Sequence, residues 1–466
     1  MCGIVGTVGG AASAVERALQ TIRHRGPDAQ AVVTDGAVVL GHARLAIIDL
    51  DDRSAQPFKR GQLTLAYNGE LWNYRELRAE LTALGEEFRT PGDTEVVAAA
   101  LARWGDAALP KFNGMFAIAW TSGDGEWVRL ARDRFGEVPL HYAAQAPLYF
   151  ASEARALLAL GADPTRIVDV GPGEIVESDG RRVRSRRWVD VPALPKAAEP
   201  EEAAEELLGL LRASVEERRI ADVPVCALLS GGVDSGAIAA LLRPHVPDLV
   251  AYTAVFDAKS RDLRGARETA EMLGVRLVEV PVECPSAEDL ARVVDAIEMP
   301  FKSQVEIAWA CMKLAERMSA DGFKVTFSGE GADELFGSYG FAYHGIQTRG
   351  WHGFRKESFL GQSRKNFPRA NKVFMRSSVE CRLPFLNPAL VERVLSFERP
   401  LVQRGSVTKA VLRDAMRGLL PESVLRRPKV AFQDGMGLKR AIESQIADPR
   451  ALYARAHQDR FGGWKP

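Results

Sequence analysis

Hydrophobic and polar positions along this chain change their period several times, and each change marks an element. Within the first 190 residues, short runs of strand-forming residues recur at Ala37–Leu40, Leu63–Tyr67, Phe116–Trp120, Trp127–Ala131 and Leu148–Ala151. Two stretches of helical period lie among them, Tyr74–Leu84 and Thr94–Trp104, the second with Val96, Val97, Ala100 and Leu101 on one face. This pattern predicts an α+β domain built on sheets.

From Glu201 onward the pattern alternates. A helical stretch carrying Ala204, Leu207, Leu208, Leu211 and Val215 leads to an apolar strand at Val223–Leu229 and a helix through Ile238–Leu242. Then come strand Leu249–Phe256, helix Ala266–Leu273, strand Arg276–Val282, helix Ala287–Ile297, a long helix around Val305–Met318 and strand Val325–Phe327. Such alternation predicts a doubly wound α/β parallel sheet, with its ligand at the C-terminal strand ends. A Pro/Ala-rich, unpatterned stretch at 191–200 separates the two regions, so the predicted domains are 1–190 and 201–466.

Composition narrows the partners. Lys plus Arg equals Asp plus Glu, at 61 each, so no global field favours a polyanion, and nucleic acid is not expected as a partner. The basic run Arg181–Arg187 reads as a solvated strand end. No apolar run approaches ~18 residues, so no membrane span is expected. Five cysteines without close spacing fit a reducing, cytoplasmic setting better than a disulfide framework or a zinc site.

Two stretches carry candidate chemistry. Ser230-Gly231-Gly232-Val233-Asp234-Ser235 sits between a strand and a helix, where backbone N–H groups and hydroxyls can cradle an anion. Asp234 suits such a loop if Mg²⁺ stands between it and phosphates. No Gly-Lys-Ser/Thr follows, so this is not a Walker loop. Ser328-Gly329-Glu330-Gly331-Ala332-Asp333-Glu334 is the second stretch: glycine-spaced carboxylates are poor core and good metal–phosphate material. At the other end, Cys2 would carry both a thiol and a free α-amine once Met1 is removed, and that amine can serve as its base without a His.

Motifs around these residues extend the picture. Met1-Cys2-Gly3-Ile4, His24-Arg25-Gly26-Pro27-Asp28, Arg44-Leu45-Ala46-Ile47-Ile48-Asp49 and Asn68-Gly69-Glu70 occur in that order. Together they resemble the class II glutamine amidotransferase domain of the N-terminal-nucleophile hydrolases. The Ser230 and Ser328 loops resemble the ATP-pyrophosphatase loops of glutamine-hydrolysing asparagine synthetases, as do Arg369–Lys372, Val379–Leu386, Lys409–Arg413 and Arg426–Phe432. The resemblance implies stacked antiparallel sheets with helices, followed by the pyrophosphatase sheet. It implies that Cys2 attacks glutamine, with Asn68 and Gly69 as oxyanion hole. Glutamine would be bound by Arg44, Leu45, Ala46, Ile47, Ile48, Asn68, Gly69, Glu70 and Asp93. ATP would lie on Leu229, Ser230, Gly231, Gly232, Asp234, Ser235, Val255, Ser328, Gly329 and Lys429. Asp234 and Asp333 would hold Mg²⁺, Glu330 would be the acid/base, and Lys429 would face the leaving pyrophosphate.

The implied reaction is glutamine- and ATP-dependent amidation of a carboxylate through an acyl-adenylate, aspartate to asparagine first, with internal transfer of ammonia. Glutamine and a small carboxylic acid are then the partners, and a homodimer stays open. Asn68-Gly69 also reads as a hairpin turn, the commonest use of that dipeptide. Three features depart from the family. Asn387 stands where relatives usually place Asp, and Phe336-Gly337-Ser338-Tyr339 replaces a Gly-Gly-Tyr. Lys302, Gln304 and Glu306 occupy the acceptor-binding stretch in unusual combination. The last motivates an alternative, the same chemistry on another carboxylic acid. A further alternative, an amide- or lactam-forming ligase with a vestigial glutaminase domain, sits poorly with an intact Cys2, Arg44, Asn68 and Asp93.

Overall fold

The computed structural model describes residues 1–189, 200–338, 342–428 and 437–466. The linker expected at 191–200 falls almost wholly outside them, and Lys429 lies outside them too. Packing divides the chain into two units: Met1–Asp190 with Met375–Ser378 and Ala454–Pro466, and Val191–Phe374 with Val379–Tyr453.

The first unit is built on two six-stranded antiparallel sheets. One runs β10 (Ile167–Asp169), β8 (His141–Ala143), β9 (Leu148–Ala151), β1 (Gly3–Val8), β3 (Val38–Arg44) and β2 (Ala29–Asp35) in spatial order. The other runs β12 (Val183–Arg187), β11 (Glu174–Ser178), β7 (Val128–Arg132), β6 (Gly114–Ser122), β5 (Leu63–Leu71) and β4 (Phe58–Arg60). Strands β1 and β3 pack against β5, so the sheets are stacked. Helix α1 (Ala12–Thr21) covers the first sheet, and α3 (Asp93–Trp104), after α2 (Tyr74–Ala83), covers the second. This is the layering expected of the N-terminal-nucleophile fold. The pattern missed β1 because it is buried at all six positions, so it shows no alternation, and Gly3 and Gly6 break the apolar run that marked other buried strands. The basic run is the fully exposed edge strand β12, with Arg186 donating to Asp106. Phe461 and Trp464 close the core of this unit against Leu157 and Leu160 beside α4 (Ala154–Ala159).

The second unit centres on a parallel sheet in the order β15 (Arg276–Pro281), β14 (Val250–Val255), β13 (Val225–Leu228), β16 (Val325–Phe327) and β17 (Glu380–Arg382). The order reverses between β13 and β16, and this is where an open α/β sheet binds its ligand. The Ser230 loop follows β13 and the Ser328 loop follows β16, so both leave the sheet at the switch point. Around it lie α5 (Pro200–Arg218), α6 (Val233–Leu242), α7 (Arg261–Leu273), α8 (Ala287–Ile297) and α9 (Lys302–Ala320). Downstream come α10 (Ala332–Leu335), α11 (Ala342–Leu360), α12 (Asn366–Met375) and α13 (Pro388–Ser396). Among the described residues no helix is long and apolar enough to cross a membrane.

Asn387 explains one departure. Its side chain caps α13 by accepting from the Leu390 N–H at 3.1 Å. Asn and Asp cap equally well, so the exchange leaves the helix start intact.

One buried cation holds the short helix that carries Asp333. Arg355, pushed down to about 9 by burial, spends its donors on carbonyls: Leu335 O at 2.7 and 3.0 Å, Val394 O at 2.6 Å and Phe397 O at 3.0 Å. These lie at the C-terminal ends of α10 and α13, where carbonyls run short of partners; Val394 O also accepts from the Phe397 N–H at 3.1 Å and Phe397 O from Trp351 Nε1 at 2.9 Å. Arg355→Met should take both arginine donors from Leu335 O and one each from the other two, destabilising the unit by about 3 kcal/mol. A thermal melt should show the earlier unfolding; an unchanged midpoint would remove Arg355 as the tie between the two helices.

Candidate active sites

The first site lies within the first unit and is organised on β3, β5 and the start of α3. Cys2, nearly buried, is held at three points. Its N–H donates to Asn68 Oδ1 at 2.7 Å, its carbonyl accepts from Arg25 Nε at 2.9 Å, and its Sγ lies 3.9 Å from Leu45 O. Asn68 is fixed in turn, its Nδ2 donating to Ser152 Oγ at 3.3 Å. Ser152 Oγ also accepts from the Ile4 N–H at 2.9 Å.

Asn68-Gly69 is not a hairpin turn. Both residues sit inside β5, opposite Ala117 and Phe116 of β6 in an unbroken ladder. Glycine is required there by the close approach of β6: a Cβ on Gly69 would stand 2.2 Å from Met115 O.

Next along β5, Glu70 Oε1 lies 3.8 Å from the α-ammonium of Met1, which is itself buried. Asp93 opens α3, and its Oδ2 accepts from Leu71 N at 3.1 Å and Tyr67 OH at 3.0 Å. Burial pushes its carboxyl up to about 6. Arg44, ending β3, donates to Asp49 O. Leu45 and Ile47 are buried and Ala46 and Ile48 half-buried, with Ala46 N tied to Asp28 Oδ2 at 2.8 Å. His42 is pushed down to about 3 by burial and is neutral, its Nε2 donating to Tyr67 O at 3.1 Å. Its low basicity makes it a weak proton acceptor at neutral pH.

Behind Cys2 lies a group that the sequence did not reveal. Glu153 is fully buried and takes Arg25 at 3.0 Å, Arg155 at 2.9 Å and His24 at 3.1 Å. It fixes Arg25, which fixes the Cys2 carbonyl. His24-Arg25 stood in a motif, but nothing local marks Ser152 or Glu153.

The second site lies within the second unit. Gly231 adopts φ +71°, and a Cβ there would meet Asp262 O at 2.1 Å, so glycine shapes this turn. The loop closes on itself: Ser230 N donates to Ser235 Oγ at 3.0 Å, and the two hydroxyl oxygens are 3.1 Å apart. Gly329 lets the second loop lie on the first, since a Cβ would stand 2.7 Å from Ser235 N and 2.8 Å from the Asp234 carbonyl carbon. Leu229 is buried, its N donating to Tyr252 O at 2.9 Å, and Val255 ends β14 beside it.

Asp234 and Asp333 converge on one cation. Lys409 Nζ, fully buried, lies 2.5 Å from Asp234 Oδ2 and 2.6 Å from Asp333 Oδ1. Arg427 joins the rim, donating to Gly231 O at 3.0 Å and Asp262 at 2.6 Å. Asp234, Asp262, Lys409, Arg413 and Arg427 line a small cavity. Two hard oxygen donors brought to one point fit Mg²⁺, which takes one or two carboxylates and completes its shell with phosphate and water. Lys409 was read only as part of a motif; a single lysine carries no signal of its own.

Glu330 Oε2 takes Arg369 at 2.6 Å, and its N–H donates to Ser328 Oγ at 3.2 Å. The three acceptor candidates divide. Gln304 is buried, accepts from Arg369 Nε at 3.0 Å and donates to Asn366 Oδ1 at 2.8 Å. Lys302 instead pairs with Glu306 at 2.6 Å and Glu443 at 2.9 Å. Burial holds the Glu306 carboxyl above the usual range despite that lysine.

Comparison with known proteins gives each half of the chain a family. The family described as Glutamine amidotransferase domain matches residues 1–176, and that described as Asparagine synthase matches 206–368 and 347–459. Asparagine synthetase B [glutamine-hydrolyzing] of Escherichia coli (strain K12) is 31% identical, covering 98% of this chain and 87% of its own. Asparagine synthetase [glutamine-hydrolyzing] 2 of Oryza sativa subsp. japonica is 29% identical, over 94% of this chain and 78% of its own. The putative asparagine synthetase [glutamine-hydrolyzing] of Mycobacterium bovis (strain ATCC BAA-935 / AF2122/97) is 30% identical, over 91% and 84%.

Proposed function

Because the chain belongs to the glutamine-hydrolysing asparagine synthetase family, an enzyme family of ligases and amidotransferases, we propose that it forms asparagine from aspartate, glutamine and ATP. The observation that carries the ATP half is the convergence of Asp234 and Asp333 on buried Lys409.

In the first site, with Met1 removed, the Cys2 α-amine takes the thiol proton and sulfur attacks the glutamine side-chain amide. The oxyanion that forms is met by Asn68 and the Gly69 N–H. The α-ammonium returns its proton to the leaving nitrogen, ammonia departs, and water cleaves the thioester to glutamate. Arg44 suits the substrate carboxylate, and Glu70 with Asp93 its ammonium. The Met1 α-ammonium, 3.8 Å from Glu70, occupies in the unprocessed chain the place this reading gives to the substrate's ammonium. Protein retaining Met1 should therefore fail at glutamine hydrolysis twice over, through a blocked base and a filled subsite.

Asp93 gives this site a pH signature. Its carboxyl titrates at about 6, and only the ionised form attracts an ammonium. As pH falls through 6 the group takes a proton and loses that attraction. The kcat/KM for glutamine should thus fall on an acidic limb near pH 6. A limb near 4, the range of an ordinary carboxylate, would remove Asp93 from the subsite.

In the second site an acceptor carboxylate attacks the α-phosphate of ATP, pyrophosphate leaves, and an acyl-adenylate remains. Ammonia then attacks the acyl carbon, Glu330 takes a proton from its nitrogen, and AMP leaves with the bond electrons. Mg²⁺ held by Asp234 and Asp333 would neutralise phosphate charge. Lys409 and Arg427 contribute fixed positive charge on the protein side; Lys429, which the motif assigns to the leaving pyrophosphate, lies outside the described residues. Internal passage of ammonia keeps it unprotonated between the sites.

ATP–pyrophosphate exchange against a panel of carboxylic acids tests this reading: aspartate should support exchange, and AMP should accompany the amide. One observation favours a second reading, the same chemistry on another acid. Lys302, the candidate for a spare carboxylate, is already matched by Glu306 and Glu443. Exchange with another acid and none with aspartate would select that reading.

A further inference from the structure

Gln304 lies in the stretch expected to touch the acceptor, yet its carboxamide is fully engaged elsewhere. Its oxygen accepts from Arg369 Nε at 3.0 Å and its nitrogen donates to Asn366 Oδ1 at 2.8 Å. Asn366 passes the chain on, its Nδ2 donating to Glu334 Oε1 at 2.5 Å. Asn366 and Arg369 are three residues apart on α12 and so share a face, and Gln304 bridges them with both of its polar atoms. Arginine only donates, which fixes the orientation of the carboxamide. With Nε committed to Gln304, Nη2 of Arg369 meets Glu330 Oε2 at 2.6 Å, and Nη1 lies 3.8 Å from Cys311 Sγ. Arg369 is buried, whereas Glu330 keeps 22% of its side chain exposed. The charged end facing the reaction is therefore the carboxylate, backed by a guanidinium that Gln304 holds in plane. Lys302 and Glu306, two residues to either side of Gln304, pair with each other, and Lys302 pairs also with Glu443.

We propose that Gln304 is a positioning residue: it orients Arg369, and Arg369 sets where the Glu330 carboxylate stands when ammonia attacks. This rests on the reading of Glu330 as the proton acceptor in the second step. Displacing a reacting group by ~1 Å costs about 100-fold in rate, so the effect should fall on the step that uses Glu330. Adenylation precedes that step and does not need its proton transfer.

The test is to measure both steps in the full-length enzyme, pyrophosphate exchange with the acceptor and amide formation from ammonium chloride. Gln304→Met, similar in length but without an acceptor for Nε, should lower amide formation relative to exchange by about tenfold or more. Gln304→Glu, which restores an oxygen for Nε, should bring the ratio back towards wild type. Arg369→Lys, which keeps the charge without the forked geometry, should reproduce the Met variant's signature by an independent change. Melting midpoints and glutamine hydrolysis, a reaction of the other unit, report whether each variant is folded. Parallel loss of both steps in folded Gln304→Met and Arg369→Lys would overturn the proposal. So would a raised acceptor KM in exchange, which would make Gln304 a direct contact. A wild-type enzyme that supports no exchange with any acid would instead overturn the adenylation reading beneath it.

Discussion

Cys2→Ala is expected to abolish glutamine hydrolysis, by about 10⁴-fold or more, while amide formation from added ammonium salts continues. The reason is local to the first unit. The contacts that gather around Cys2 (Asn68, Leu45 and Arg25) all belong to that unit. Removing one sulfur leaves Asn68 tied to Ser152 and Arg25 tied to Glu153, so the pocket stands but has no nucleophile. No neighbouring group replaces it: His42 is neutral and spends Nε2 on Tyr67 O. The remaining four cysteines lie elsewhere in the sequence, at 226, 284, 311 and 381, all in the second unit. The synthetase step needs only ammonia, which the medium then supplies. Glutamine hydrolysis assayed as glutamate release, and amide formation assayed with ammonium chloride, separate the two. Equal loss of both activities would contradict the two-site reading.

The sequence carried the framework further than it carried the contacts. Helices α8 and α9 stand within a few residues of where helical period put them, because each has a buried and an exposed face. Strands β5, β6 and β7 are almost wholly buried, and it was their unbroken runs of strand-forming residues, not alternation, that marked them. Strand β1 is as buried, but Gly3 and Gly6 break its apolar run. Asn68-Gly69 misled for a different reason. That dipeptide is the strongest short signal for a hairpin, but apolar residues continue through Leu71, and it was the neighbouring strand, pressing on Gly69, that demanded glycine. Candidate residues embedded in glycine-rich loops stood out, since such loops are poor core material. Lys409, Glu153 and Gln304 were not legible in their roles. Each acts through a partner distant in sequence: Lys409 lies 175 residues from Asp234, and Glu153 lies 128 from Arg25. No periodicity encodes a contact of that kind. The acceptor stretch shows the limit most clearly. Lys302, Gln304 and Glu306 looked like one site, yet a helix turns 100° per residue, and the two charges face away from the amide between them.

Asp234→Asn and Asp333→Asn are each expected to reduce ATP-dependent amide formation by about 100-fold or more, and to spare glutamine hydrolysis. The two carboxylates come from different loops, one after β13 and one after β16, and Gly329 allows those loops to touch. In the structure they share Lys409, whose buried ammonium needs their charge, because an unmatched buried cation costs several kcal/mol. With ATP and Mg²⁺ bound, the two carboxylates would hold the metal and Lys409 would face phosphate charge, so each asparagine substitution would remove charge that both arrangements require. Amide is close in shape to carboxylate, so the loops should keep their form and the loss should appear chiefly in kcat and in the Mg²⁺ dependence. Raising Mg²⁺ should restore part of the activity of either single variant, since one carboxylate remains, and little in the double variant. Exchange assays across a Mg²⁺ titration, run beside glutaminase assays, measure this directly. Variants with wild-type Mg²⁺ dependence would take Asp234 and Asp333 out of the metal's shell. Release of ADP and phosphate by the wild type would refute the pyrophosphatase reading of the Ser230 loop altogether.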